Sequence, residues 1–147
     1  METNTDIEEM LRREWRELGV YYETDNTTKE LKFYGDRKGI EIFSYVIKEY
    51  CDKRENFQVS ERLYLGPYSY LLIMTSDRPF ISTDVIAGTI GDLKKLSELI
   101  REKLKKTKTE ESFTIDNEFG DNNKAKITIK VMADKFDPVT MDAQLRV

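Results

Sequence analysis

A pattern that occurs twice constrains this chain more than any other feature. From Leu31 to Tyr50, Gly35 is followed by Ile40, Phe43, Ser44, Val46, Ile47, Lys48 and Glu49. From Ile86 to Leu104, Gly88 is followed by Leu93, Leu96, Ser97, Leu99, Ile100, Arg101 and Glu102. Each copy reads as a strand, a tight turn and an amphipathic helix. A repeated unit of this kind has one apolar face that it cannot bury alone, so the two copies are expected to share a core.

The rest of the chain supplies shorter elements. Ile7, Met10, Leu11, Trp15 and Leu18 recur at helical spacing behind a capping box of Thr5 and Glu8, and Gly19 ends that helix. Val20–Thr24 and Glu30–Tyr34 read as a hairpin around Asp25-Asn26-Thr27-Thr28, with Val20, Tyr22, Leu31 and Phe33 pointing inward. The first repeat helix is expected over Asp36–Cys51 and the second over Thr89–Lys106, with Thr89 and Asp92 as its cap. Between them, Phe57–Leu65 and Tyr68–Thr75 read as strands around Gly66-Pro67, the second central in the sheet, and Asp84–Gly88 as a short strand. Ser112–Ile115 and Lys124–Met132 form a second hairpin, in which Ala125, Ile127, Ile129 and Val131 alternate with a wet face of Lys124, Lys126, Thr128 and Lys130.

At 147 residues the chain is expected to be one domain, burying about two-thirds of its unfolded surface. Residues 1–4 and 134–147 read as loosely ordered ends, because neither has a clear period. Eight Tyr, seven Phe and one Trp give it too much aromatic content for a disordered chain, although 35% of its residues are charged. The start is neither basic nor apolar and no apolar run approaches a membrane span, so the expected location is the cytoplasm, with no membrane partner. No cofactor is implied.

The absence of histidine removes the commonest general base, the usual transition-metal ligand and the near-neutral pH switch. The lone Cys51 allows neither an intramolecular disulfide nor a cysteine zinc site, and reads as a small buried hydrophobe. Asp77 and Asp84 flank the Arg78-Pro79-Phe80-Ile81 loop, where carboxylates could serve acid-base chemistry or bind Mg²⁺, but their spacing matches no motif. Gly35 with Gly39, and Gly88 with Gly91, lack the spacing of a nucleotide loop and suit tight strand-to-helix turns. Arg101, Lys103, Lys105, Lys106 and Lys108 alternate with glutamates as a solvated helix end does, and the net charge of −4 argues against nucleic acid as a partner. Tyr64, Tyr68 and Tyr70 cluster around Gly66-Pro67, and tyrosines near a turn offer rigid contact area with polar tips; packing beneath a helix is the competing explanation.

The segment Gly66-Pro67-Tyr68-Ser69-Tyr70-Leu71-Leu72-Ile73-Met74-Thr75, followed by Ile86-Ala87-Gly88-Thr89 and Asp92-Leu93-Lys94-Lys95-Leu96, resembles a group of small bacterial immunity proteins of polymorphic toxin systems. The resemblance spans residues 14–137, including Glu17-Leu18-Gly19 and Phe136-Asp137-Pro138, and its motifs are short and largely structural. It implies a cytoplasmic, non-enzymatic protein that neutralises a toxin by binding it, and it carries over no functional residue. The chain departs from the group after Met74-Thr75, where a tryptophan is expected and Ser76-Asp77-Arg78-Pro79 stands.

The expected fold is α+β: a single, mainly antiparallel sheet with the two repeat helices on one face and the N-terminal helix beside them, for which a ferredoxin-like core is a candidate. The expected function is protein binding, with Tyr64, Tyr68, Tyr70, Asp77 and Arg78 as the partner surface. A carboxylate enzyme or metal- or ligand-binding domain using Asp77 and Asp84, and a structural subunit of a larger assembly, are the alternatives.

Overall fold

The repeat extends well beyond its strand-helix signature. The computed structural model describes residues 4–57 and 62–145. Helix α1 (Asn4–Leu18) is followed by β1 (Tyr21–Asp25), β2 (Glu30–Gly35) and α2 (Arg37–Phe57). Four strands come next: β3 (Arg62–Leu65), β4 (Leu71–Thr75), β5 (Phe80–Ile81) and β6 (Val85–Gly88). Helix α3 (Ile90–Lys106), β7 (Ser112–Ile115), β8 (Lys126–Val131) and two 3-10 turns, Pro138–Met141 and Ala143–Leu145, complete the order.

The class is α+β, but the eight strands form two mixed sheets of four rather than the single sheet expected, ordered β1-β2-β8-β7 and β3-β4-β6-β5. Replacing β1-β2-α2-β3-β4 by β5-β6-α3-β7-β8, element for element, turns the first order into the second read backwards. The register agrees. Leu65 faces Leu71 in one hairpin as Ile115 faces Ile127 in the other, and both central pairs, β2–β8 and β4–β6, are parallel. The chain is therefore two ββαββ units related by a pseudo-two-fold, each contributing one hairpin to each sheet. A ferredoxin-like core does not form, because α2 leaves one sheet from β2 and delivers the chain to β3 in the other.

The helices run antiparallel across the repeat's own serines. Arg37 at the start of α2 donates to the carbonyl of Leu104 at 2.9 Å and to that of Thr107, at the end of α3. Lys94, near the start of α3, lies 3.9 Å from Asp52 toward the end of α2. Ile40, Phe43 and Ile47 of α2 and Leu93, Leu96 and Ile100 of α3 are fully buried, each favouring the fold by about 1.5–3 kcal/mol relative to exposure. Phe33 of β2 stacks on Phe43, with ring centroids 4.8 Å apart. Cys51 is buried in the same core.

Both repeat helices are capped at equivalent positions. The Asp36 carboxylate accepts from the Gly39 amide at 2.8 Å, and Thr89 and Asp92 form the reciprocal capping box at 3.0 and 2.9 Å. Helix α2 continues to Phe57, past the expected end at Cys51, where Lys48–Asp52 and Glu49–Lys53 pairs at i,i+4 spacing replace the apolar stripe. Helix α1 begins at Asn4, one residue before the Thr5–Glu8 pattern places it, and Gly19 ends it at φ +90°. A Cβ on Gly19 would stand 2.3 Å from the Gly39 carbonyl oxygen, and one on Gly39 would stand 2.1 Å from that of Gly19. Two glycines thus let α1 and α2 meet backbone to backbone.

Two further expectations need correction. The strand expected over Phe57–Leu65 is described only from Arg62: Phe57 ends α2 instead of starting a strand, and residues 58–61 lie outside the described chain. The C-terminal stretch is not a loose tail through residue 145. Val139, Leu145 and Asp142 are buried, Lys135 donates its amide to the Asp36 carboxylate at 3.0 Å, and Arg16 grips Asp137 with two hydrogen bonds of 2.9 and 3.3 Å. A 3-10 segment held by dispersed side-chain partners has no sequence period to betray it. Residues 1–3 and 146–147 lie outside the described chain. Among the described residues no helix is long and apolar enough to cross a membrane.

Candidate functional site

Five separate segments build one aromatic cleft of about 520 Å³. Its lining comprises Trp15 of α1; Tyr21, Tyr22, Glu23 and Thr24 of β1 with Asn26 beyond them; Tyr68 and Tyr70 from the β3–β4 turn; Thr83 and Asp84 before β6; and Asp142, Ala143 and Gln144 from the C-terminal turns. Trp15 is 2% exposed and sits within 4.9 Å of the Tyr21 ring, 5.5 Å of Tyr22 and 6.2 Å of Tyr68, centroid to centroid. Such tilted and edge-on contacts are the favourable arrangements for aromatic pairs.

The turn that carries Tyr68 and Tyr70 is shaped by its backbone. Gly66 adopts φ +75°, and a Cβ there would stand 3.0 Å from Tyr22 and 3.3 Å from Trp15, so glycine lets the turn lie on the aromatic floor. Ser69 is also left-handed, at φ +56°. Tyr68 and Tyr70 stack at 5.6 Å outside any strand, not as alternate residues of a strand begun at Tyr68; β4 begins at Leu71. Tyr70 is 69% exposed, so its ring is a wall of the cleft rather than core packing.

A buried carboxylate organises the floor. Asp142, 4% exposed, accepts on Oδ2 from Trp15 Nε1 at 2.9 Å and from the Tyr68 hydroxyl at 2.6 Å, while Oδ1 accepts from the Gln144 amide at 2.9 Å. Three donors offset the cost of burying the charge. Burial and the hydrogen bond to Asp142 both push the Tyr68 phenol up, so it stays neutral and donating. Tyr22, buried beside it, is pushed up to about 12 by burial and donates to the Leu65 carbonyl at 2.5 Å, joining the two sheets. Glu23 and Asp84 complete the acidic lining; among the described residues neither lysine nor arginine lines the cleft.

The five residues expected to share one partner surface do not do so. Tyr68 and Tyr70 line the cleft. Tyr64, 53% exposed, lines a neighbouring depression of about 420 Å³ on the other side of the same turn, with Glu14 and Glu17. Asp77 and Arg78 are exposed in the β4–β5 turn, past the far end of β4. Five strand residues span roughly 16 Å, and that length of β4 separates them from the tyrosines.

The same register governs Asp77 and Asp84. Asp84 stands at the start of β6, its carbonyl accepting from Leu72 N, whereas Asp77 follows Ser76, whose amide reaches Gly88 at the opposite end of the β4–β6 ladder. Asp77 is not part of the cleft that Asp84 lines, and no group of three or more acidic or cysteine side chains among the described residues could hold a metal ion. Of the basic run, Arg101 donates to both Ser44 and Ser97 hydroxyls and covers the Tyr45 ring at 4.8 Å, and Lys103 pairs with Glu118 and the Thr114 carbonyl, so both serve the fold.

No family model matches the chain, and no curated protein or solved structure matches it either. The cleft's chemistry therefore stands on its residues alone. The sequence pattern assigns Trp15 and Tyr22 to the core and leaves Tyr21, Glu23 and Asp142 unremarked. Only the unique tryptophan, placed on an amphipathic helix next to two tyrosines, carries any local signal of this site.

Proposed function

We propose that this chain acts by binding a protein partner, most concretely as an immunity protein that neutralises a bacterial toxin domain by direct contact. The observation that carries the reading is the cleft itself: rigid aromatic walls, an exposed Tyr70 and an acidic lining, flanked across one turn by a second acidic depression bearing the exposed Tyr64. Exposed tyrosines supply large contact area at low entropic cost, which is what protein interfaces are enriched in. Carboxylates around them favour a basic or neutral partner and faster association at low salt. The resemblance to immunity proteins supplies the biological setting of the proposal, and the absence of histidine agrees with a role that needs no acid-base centre.

Affinity capture with the tagged chain, from a lysate in which neighbouring toxin-like genes are expressed, tests the reading. The expected result is one stoichiometric protein whose association slows as salt rises and whose retention falls with Tyr70→Ala. Retention of that protein by the variant at full strength, with a salt-independent on-rate, would overturn the assignment of this surface.

A further inference from the structure

Resting on the protein-binding reading, we propose that the cleft is a receptor for one cationic side chain of the partner, an arginine or lysine seated against the exposed Tyr70 ring, above the packed floor of Trp15 and Tyr68 and beside the rim carboxylates of Asp84 and Glu23. Each wall favours that occupant. Aromatic faces attract a cation through the ring quadrupole, and a guanidinium can also stack flat on them. Asp142 places a dehydrated negative charge beneath the rings, with its oxygens already engaged by Trp15, Tyr68 and Gln144, so it acts on the occupant through its field.

Direct hydrogen bonds are left to the rim. Asp84 accepts from Ser82 on Oδ1 and Glu23 from Tyr34 on Oε1, and within the described chain the second oxygen of each carboxylate has no hydrogen-bonding partner. Among the described residues no lysine or arginine lines the cleft, and the cation that acts on Glu23 is Lys32, its cross-strand neighbour on β2, outside the lining. An anionic occupant would meet three carboxylates, and an apolar one would leave the second oxygens of Asp84 and Glu23 without a partner. A volume of about 520 Å³ accommodates a side chain together with part of its flanking backbone.

The test uses the full chain and a probe that imitates the side chain alone. The only tryptophan of the sequence lies in the cleft and donates its indole N–H to Asp142, so that one N–H resonance reports occupancy. Titration with n-butylguanidinium is expected to move the indole signal and those of Tyr21 and Tyr70 saturably in the millimolar range, with n-butylurea, its neutral near-isostere, at least about tenfold weaker. Asp84→Asn and Tyr70→Ala, both exposed positions, are each expected to weaken binding by about threefold or more at unchanged melting temperature. Equal shifts from the urea, no saturable shift from either probe, or indifference to both variants would overturn the inference. So would binding that appears only in Arg146→Gln, because the occupant would then be the chain's own C-terminal arginine. Absence of probe binding with partner capture intact would remove this inference and leave the protein-binding reading; absence of capture with probe binding intact would remove the protein partner, and with it the proposed occupant, and leave only a cleft that takes small cations.

Discussion

Ser97 Oγ donates a hydrogen bond to the main-chain carbonyl of Ser44 at 2.8 Å, joining two residues 53 positions apart that the internal repeat makes equivalent. Ser44 in turn donates its hydroxyl to the Glu41 carbonyl at 2.7 Å, and Arg101 donates to both hydroxyls at 3.2 and 2.6 Å. Both serines are fully buried, so the centre of the helix pair is a satisfied polar cluster inside an apolar seam. Small side chains at this crossing let the helices approach closely.

Ser97→Ala removes one hydrogen bond and one of the two acceptors of Arg101, and is expected to cost about 1–2 kcal/mol in urea unfolding. Ser97→Leu is expected to cost more, because the added volume has nowhere to go in a close-packed crossing. Equal stability of all three proteins would show that the crossing is not tightly packed.

The glycine contact between α1 and α2 yields a sharper expectation. Gly39→Ala sets a methyl against the Gly19 carbonyl at 2.1 Å, a backbone clash that no rotamer relieves. A loss of about 3 kcal/mol or more is expected. Gly91→Ala is its control, since a Cβ there meets only Thr89 Oγ1 at 3.8 Å; its helical position predicts a neutral or stabilising change.

Asp142→Ala strands the buried Trp15 indole N–H and the Tyr68 hydroxyl together. The expected cost is about 2–4 kcal/mol, and hydrogen exchange is expected to accelerate selectively over residues 138–145, which this carboxylate ties to α1 and the β3–β4 turn. Uniform acceleration across the whole chain would place Asp142 in the global core instead.

Alkaline pH is expected to unfold the protein through its buried tyrosines. Tyr22 titrates near 10 when unfolded and near 12 when folded, so between these values the unfolded state has released a proton that the folded state still holds. The slope is then negative, and stability is full below pH 10 and falls as pH rises toward 12. Tyr22→Phe loses the hydrogen bond to Leu65 but should flatten this part of the pH-stability profile. An unchanged slope would assign the alkaline limb to other groups.

At acid pH the sign reverses. Hydrogen bonds from the Thr28 amide and Lys32 hold the Asp25 carboxyl down at about 2, and Lys103 holds Glu118 at about 2 as well. The unfolded chain takes up protons first as pH falls below about 4.5, so stability present above that value is lost progressively toward pH 2. Glu118→Gln should shallow the acid limb in a pH series of melting temperatures.

The legible part of this protein was local. Period-2 alternation put Val20, Tyr22, Leu31, Phe33, Ile127, Ile129 and Val131 on buried faces, and all of them are buried. Thr89 and Asp92 announced the cap that the structure contains. The two strand-turn-helix copies were visible because equivalent buried positions demand similar side chains. The other halves of the two units were not, because their first strands, β3 (Arg62–Leu65) and β7 (Ser112–Ile115), have four residues each and are too short to hold a signature.

Sequence alone therefore determined the three helices, most of the strands with their inward faces and the duplication of their central part, since each of these is written in spacings shorter than one helix or strand, whereas the two-residue β5, expected as loop, and the two 3-10 turns carry no such spacing. Tertiary structure alone decided that the strands divide into two sheets, that Asp77 and Asp84 stand at opposite ends of one ladder, and that Trp15, Tyr22, Tyr70, Asp84 and Asp142 meet in one cleft. The reason is physical. Periodicity specifies which face of a strand is apolar, but not which distant strand will pair with it, and the cleft is made by those long-range choices.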